Sequence, residues 1–175
     1  MAQNQQACWL AEATEFVYKI NKAGIKVDYV SPKGGKVPVD PRSMKSIYAS
    51  NRDFNIFNSI DFKMHALINS LKPSDINPDD YFVIYYTGGH GVLWDYPKNL
   101  ELQAIAQSIY SNGGYITSVC HGVLGLLNIK DSNGRFILDG SHITGFTDEN
   151  EVLGGKKDKV PYSAEEEAKY REQDI

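Results

Sequence analysis

The chain has 175 residues, 42% of them apolar and 23% charged, with a net charge of −4. That length and balance suit a single globular domain over residues 1–175 and exclude a disordered chain. With no basic block, neither nucleic acid nor an anionic membrane is an expected partner.

The N-terminal "MAQNQQACWLAEATEF" has no basic start and no apolar core of signal-peptide length. Apolar runs such as "YFVIYY" are far too short to span a bilayer. The expected location is the cytoplasm. Two distant cysteines without a secretory signal do not suggest a disulfide framework. No CxxC or HExxH pattern occurs, so no metal site is expected.

Residues 9–23 place Trp9, Leu10, Ala13, Phe16, Val17 and Ile20 at helical spacing, with Gly24 as a stop. "IKVDYV" (25–30) alternates and reads as a strand. Residues 31–43, with three prolines and two glycines, read as a long loop. Residues 61–71 read as a helix. "YFVIYY" (81–86), apolar on both faces, reads as a buried parallel strand that ends in "TGGHG". A helix is expected over 98–111, a second buried strand over 115–119, and a short helix in "HGVLGLLNI". "GRFILDG" and "SHITGF" read as short strands, and residues 163–173 as a charged helix. Strands alternating with helices indicate an α/β domain with a mainly parallel sheet.

"SVCHG" (118–122) is the first candidate site. A strand that turns sharply into a helix can present a nucleophile, and the crowded turn requires small residues two before and two after it. Ser118 and Gly122 meet that requirement around Cys120. The helix N-terminus that follows favours a thiolate, and its amides could hold an oxyanion. The alternative for a cysteine taken alone is an inert core position; the elbow pattern after a buried strand reverses that preference.

"GGHG" (88–91) also leaves the carboxyl end of a strand, where open α/β sheets bind ligands. Gly88 and Gly89 admit backbone amides to a substrate, and His90 could donate a hydrogen bond. A glycine turn with a satisfied histidine is the plainer reading. No dinucleotide fingerprint is present, because that would need a glycine at Trp94. His121 follows Cys120 directly, and neighbours on a regular helix do not face each other. Only a strained elbow brings both to one substrate. Asp148, Glu149 and Glu151 are the acids that could orient the imidazole. Glu12 lies among bulky apolar residues of the first helix; facing inward it could act as acid or base, and by spacing alone it reads as exposed.

"WLAE", "AGIKVDYVSPKGGKVPVDPRS", "TGGHGVLWDYP", "NGGYITSVCHG" and "ITGFTDENE" follow one another in an order that resembles the ThiJ/PfpI superfamily. Within it they are most similar to the glyoxalase III and heat-inducible chaperone branch. The match runs from about Trp9 to about Glu151. The resemblance implies a flavodoxin-like sandwich and a Cys-His-acid site made of Cys120, His121 and Glu151, with Glu149 as the alternative acid. It assigns Glu12 as the glutamate paired with the thiol, and places the oxyanion donors near Gly89 and His121. It implies conversion of methylglyoxal to D-lactate without glutathione, metal or cofactor, in a homodimer.

The branch members begin with a strand before the first helix and continue past "EEEAKY". Here eight residues precede Trp9 and the chain stops at Ile175. The expectation is a sheet lacking the first strand and the last elements. Other readings of the same resemblance are a holdase for unfolded clients, a thiol redox sensor, a cysteine amidase or peptidase, and an inactive shortened member.

Overall fold

The computed structural model describes residues 7–173. Their packing divides into two compact units, one ending at Ile76 and the next beginning at Asn77. Each has its own apolar cluster. Residues 1–6, where no strand is expected, lie outside the described residues.

In the first unit, α1 (Leu10–Lys22) follows the expected spacing and buries Leu10, Thr14 and Val17. Trp9 offers no side-chain cap. Ser43 supplies it instead, its Oγ accepting the Leu10 amide at 3.1 Å. Ser43 arrives on a 3₁₀ turn, Pro41–Met44, at the end of the long loop. α2 (Asn51–Asn58) is not foreseen by the apolar pattern. It is set by a cap: the Ser50 amide donates to Asp53 Oδ2 at 2.7 Å, and the Asp53 amide donates back to Ser50 Oγ at 3.3 Å. The Thr14 hydroxyl donates to Asp53 Oδ1 at 2.7 Å, which ties α1 to α2. Leu10, Val17, Ala49, Phe62 and Ala66 form the core beneath them.

The helix expected over 61–71 is a π-helical segment, Phe62–Ile68, closed by the Asn69 amide on the Met64 carbonyl. It stops early because Leu71 pairs elsewhere. The Leu71 amide donates to Tyr29 and the Leu71 carbonyl accepts from Ser31. That pairing is a single parallel bridge, Val30 to Leu71, so the strand expected over 25–30 does not form. Its side chains do alternate between half-buried and exposed. A ladder needs a neighbour along its whole length, and the described residues supply one only at Val30.

In the second unit, β1 (Val83–Tyr86) and β2 (Tyr115–Ser118) pair in parallel, Val83 opposite Tyr115 and Tyr86 opposite Ser118. Both were expected to be buried. Only Tyr86 is, and Phe82 and Tyr115 are 52% and 67% exposed. Among the described residues the sheet has two strands. α3 (Val92–Asp95) follows β1. α4 (Leu100–Ser111) packs on both strands, capped by Asn99, whose Oδ1 accepts the Leu102 amide at 2.8 Å.

The core joins Tyr86, Leu93, Leu102, Ala106, Val123, Leu124 and Leu127. "GRFILDG" and "SHITGF" form no strands. The first makes one antiparallel bridge, Lys130 to Phe136, closed by Asp131, whose Oδ1 accepts the Asn133 and Arg135 amides. Leu138 and Ile143 turn into the core instead of lining a ladder. α5 (Asp148–Leu153) and α6 (Ala164–Gln173) complete the unit. Among the described residues no helix is long and apolar enough to cross a membrane.

Candidate active site

Parallel pairing of β1 and β2 sends both chains out of the sheet at one end. The backbone keeps them together past the strands, the Val119 amide donating to the Tyr86 carbonyl at 3.2 Å. "TGGHG" and "VCHG" therefore emerge side by side at the carboxyl edge.

Cys120 has φ +55° and is the one non-glycine among the described residues with positive φ. A side chain there is strained, and such outliers persist only where the surroundings over-determine them. The surroundings here are close. A Cβ on Gly122 would stand 2.2 Å from the Tyr86 carbonyl oxygen and 3.0 Å from that of Thr87. Only glycine lets the elbow sit on the end of β1, which is the role its position suggested. The segment after the elbow is a 3₁₀ turn, Cys120–Gly125, not the expected α-helix. Two glycines disfavour an α-helix, and a Cβ on Gly125 would run into the Tyr86 ring. The Gly122 amide is spent on the Val119 carbonyl at 2.7 Å and is not an oxyanion donor.

The strained backbone brings the two neighbours together. Cys120 Sγ lies 3.4 Å from His121 Nδ1. On the far side of the ring, His121 Nε2 lies 2.7 Å from Glu151 Oε1. A carboxylate only accepts, so Nε2 carries the proton and Nδ1 presents its lone pair to the thiol. His121 is 1% exposed. Burial lowers its pKa below the usual histidine value; the hydrogen bond it donates to Glu151 opposes this, the charge of His90 adds to it, and the net direction is down. The ring is therefore neutral at pH 7 and able to take a proton.

Glu151 is buried, in the first turn of α5. Thr147 caps that helix, its hydroxyl accepting the Asn150 amide at 3.3 Å. The start of α6 braces it: Ser163 donates to Asp148 Oδ1 at 2.6 Å, and the Asp148 amide donates to Glu165 at 2.9 Å. Asp148 is thus bound by Ser163, Glu149 is exposed, and Glu151 alone of the three reaches the imidazole.

His90 sits in the loop after β1, with Gly88 and Gly89 buried before it. Gly89 has φ +106°, which lets the loop turn back over the sheet end. His90 Nε2 lies 3.2 Å from the other Glu151 oxygen, so one carboxylate serves two imidazoles. Its Nδ1 is buried without a hydrogen-bond partner among the described residues. The rings of His90 and His121 are 4.7 Å apart, and Phe146 lies over His121 at 4.5 Å. Neither the His90–Glu151 bond nor the Phe146 cover was foreseen. The nearest signal was Phe146 standing in the quoted "GFTDENE". Glu12 is half-buried in the first turn of α1, with Oε2 withdrawn from solvent, so it is not the exposed residue that spacing suggests.

The model of the DJ-1/PfpI family matches residues 8–165. The chain is 36% identical over 149 residues to the glutathione-independent glyoxalase HSP31 of Saccharomyces cerevisiae, covering 84% of this chain and 62% of that one. It is 34% identical over 152 residues to glyoxalase 3 of Candida albicans, covering 86% and 64%. It thus spans less than two thirds of the length of these curated relatives. Among solved structures, the Rapid Encystment Protein 24 kDa of Francisella tularensis superposes with a TM-score of 0.87 at 34% identity, over 94% of this chain and 72% of that one. Glyoxalase III of Candida albicans superposes with 0.84 at 29%, over 94% and 71%. The fold is the flavodoxin-like α/β fold of these structures.

Proposed function

The chain belongs to the DJ-1/PfpI family, and from that premise we propose that it is a glyoxalase III-type enzyme that converts methylglyoxal to D-lactate without glutathione. The observation that carries the reading is the strained Cys120, with its sulfur 3.4 Å from a neutral imidazole that a buried carboxylate orients.

The chemistry follows from those positions. His121 Nδ1 takes the thiol proton as the sulfur adds to the aldehyde carbon, and the carbonyl oxygen gains a proton to give a hemithioacetal. A base then moves the proton of that carbon to the neighbouring carbonyl carbon through an enediol. The product is a thioester of 2-hydroxypropanoate. Water cleaves the thioester, releasing the acid and restoring the thiol. Carbon, hydrogen and oxygen balance as methylglyoxal plus one water, with no net oxidation. Glu151 holds His121 in the tautomer the first step needs. The base of that second step is Glu12 or His121; the family resemblance pairs Glu12 with the thiol and assigns the oxyanion donors to amides near Gly89 and His121. It also implies a homodimer, and we place the protein in the cytoplasm.

The test is D-lactate formation from methylglyoxal without glutathione, comparing wild type with Cys120→Ser and Glu12→Gln. Loss of turnover in Cys120→Ser supports the reading. Equal rates in all three proteins overturn it.

A further inference from the structure

We propose that His90, His121 and Glu151 form a binding site for a divalent transition-metal ion of the zinc kind, and that its occupation takes away the base of Cys120. Nε2 of both histidines converges on the two oxygens of one carboxylate, at 3.2 and 2.7 Å. One donor atom from each residue lies within 4.8 Å of the others. Two imidazole nitrogens and a carboxylate oxygen, with a fourth position left open, are a donor set that zinc takes. Nitrogen donors select zinc, cobalt or copper over magnesium or calcium.

The geometry is close to that of a loaded site. Donors at about 2.1 Å from a tetrahedral zinc stand about 3.4 Å apart, so the widest gap closes by no more than about 1.4 Å. His90 is the side chain able to supply that movement, since it is 24% exposed where His121 is 1%. No hydrogen bond on its Nδ1 fixes its tautomer from the other side. In the metal-free site, protons on the two Nε2 atoms hold the three groups together; the cation replaces those protons.

The consequence for Cys120 follows from proton placement. A metal on His121 Nε2 moves the ring proton to Nδ1, and the imidazole stays neutral. Nδ1 is the nitrogen that faces Cys120 Sγ. It then donates toward sulfur and cannot accept the thiol proton. This consequence rests on His121 acting as the base of Cys120; the binding itself does not.

The test uses the full chain, stripped with a chelator and exchanged into buffer. Cobalt(II) is titrated and followed by its ligand-field absorption, and zinc is then used to displace it. The expected result is one ion per chain. Affinity should fall at least about tenfold in His90→Gln and in Glu151→Gln, the lower end of what loss of a mere supporting partner costs. It should be unchanged in His142→Gln, at an exposed histidine outside the cluster. X-ray absorption of the zinc-loaded wild type needs no variant to fold, and should give nitrogen and oxygen neighbours without sulfur. Zinc should also slow iodoacetamide labelling of Cys120 in wild type and leave it unchanged in His90→Gln. No binding, equal affinity in the ligand variants, or sulfur in the metal's coordination sphere each overturns the proposal. None of these readouts uses methylglyoxal, so failure of the site and failure of the glyoxalase reading are separate results.

Discussion

Replacing Gly122 by alanine tests the elbow where its geometry is tightest. The added Cβ would lie 2.2 Å from the Tyr86 carbonyl oxygen, 0.8 Å inside the 3.0 Å that real Cβ atoms essentially never breach. Backbone cannot swing aside as a flexible side chain does, so the turn must lift off the end of β1. That movement stretches the Val119–Tyr86 hydrogen bond, now 3.2 Å. Overpacking costs about 1–3 kcal/mol and the weakened hydrogen bond about 1 more, for a total of about 2–4 kcal/mol. In a chain of this size that lowers the melting temperature by roughly 4–16 °C. Displacing the sulfur from its 3.4 Å contact with His121 should also slow lactate formation about 100-fold. Differential scanning calorimetry and a lactate assay on one preparation read both effects. A Gly122→Ala protein that melts within about 2 °C of wild type and turns over normally would refute the claim that crowding at Gly122 sets the elbow.

Glu151→Gln keeps the side chain's shape but can offer His121 Nε2 an N–H, which favours the tautomer with its proton on Nδ1. Turnover should fall by about three to four orders of magnitude, as when the acid of a catalytic triad is made an amide; a loss below tenfold would remove Glu151 from that role. Cys8 is held apart chemically from Cys120. Burial, with the charges of Glu12 and Asp40, raises its thiol to about 12. At pH 8 its alkylation should be about three orders of magnitude slower than that of an unperturbed cysteine, and peptide mapping should find iodoacetamide on Cys120 first. Burial pushes the Asp53 pKa up, but hydrogen bonds from Ser50 and Thr14 outweigh it and hold the carboxyl below the usual range. That stability is present above the unfolded carboxyl pKa and is lost as pH falls through the folded one. Urea unfolding of Asp53→Asn should therefore show a smaller loss between pH 5 and pH 2 than wild type, and parallel curves would contradict this.

Local patterns carried much of the fold. Helical spacing marked α1 and α4, and apolar runs marked β1 and β2. The small flanks of Cys120 marked the elbow, whose crowding against Tyr86 is a backbone fact that sequence expresses only as a glycine. What failed depended on partners elsewhere in the chain. Residues 25–30 alternate as a strand should, yet pair at one bridge, because alternation reports faces and not neighbours. "GRFILDG" and "SHITGF" have strand composition, but their apolar residues fill the core. α2 escaped notice since three asparagines mask its short apolar face, although the Ser50–Asp53 spacing signals its cap. In the site, Glu151 was one of three acids in one loop. All three lie in the first turn of α5, a helix braced by Ser163 and Glu165, and only the buried face that Glu151 occupies meets His121. That His90 shares its carboxylate could not be read at all, since 61 residues part the two and neither has a local reason to meet the other.

The central claim is that Cys120 is a nucleophile toward a small carbonyl, made so by His121. Mass spectrometry of the intact protein quenched during turnover of methylglyoxal, with D-lactate measured alongside, addresses it most directly. The account predicts an adduct of one methylglyoxal on Cys120, D-lactate accumulating without glutathione, and neither in Cys120→Ser. D-lactate at an unchanged rate from Cys120→Ser, with no adduct on the wild-type thiol, would contradict it.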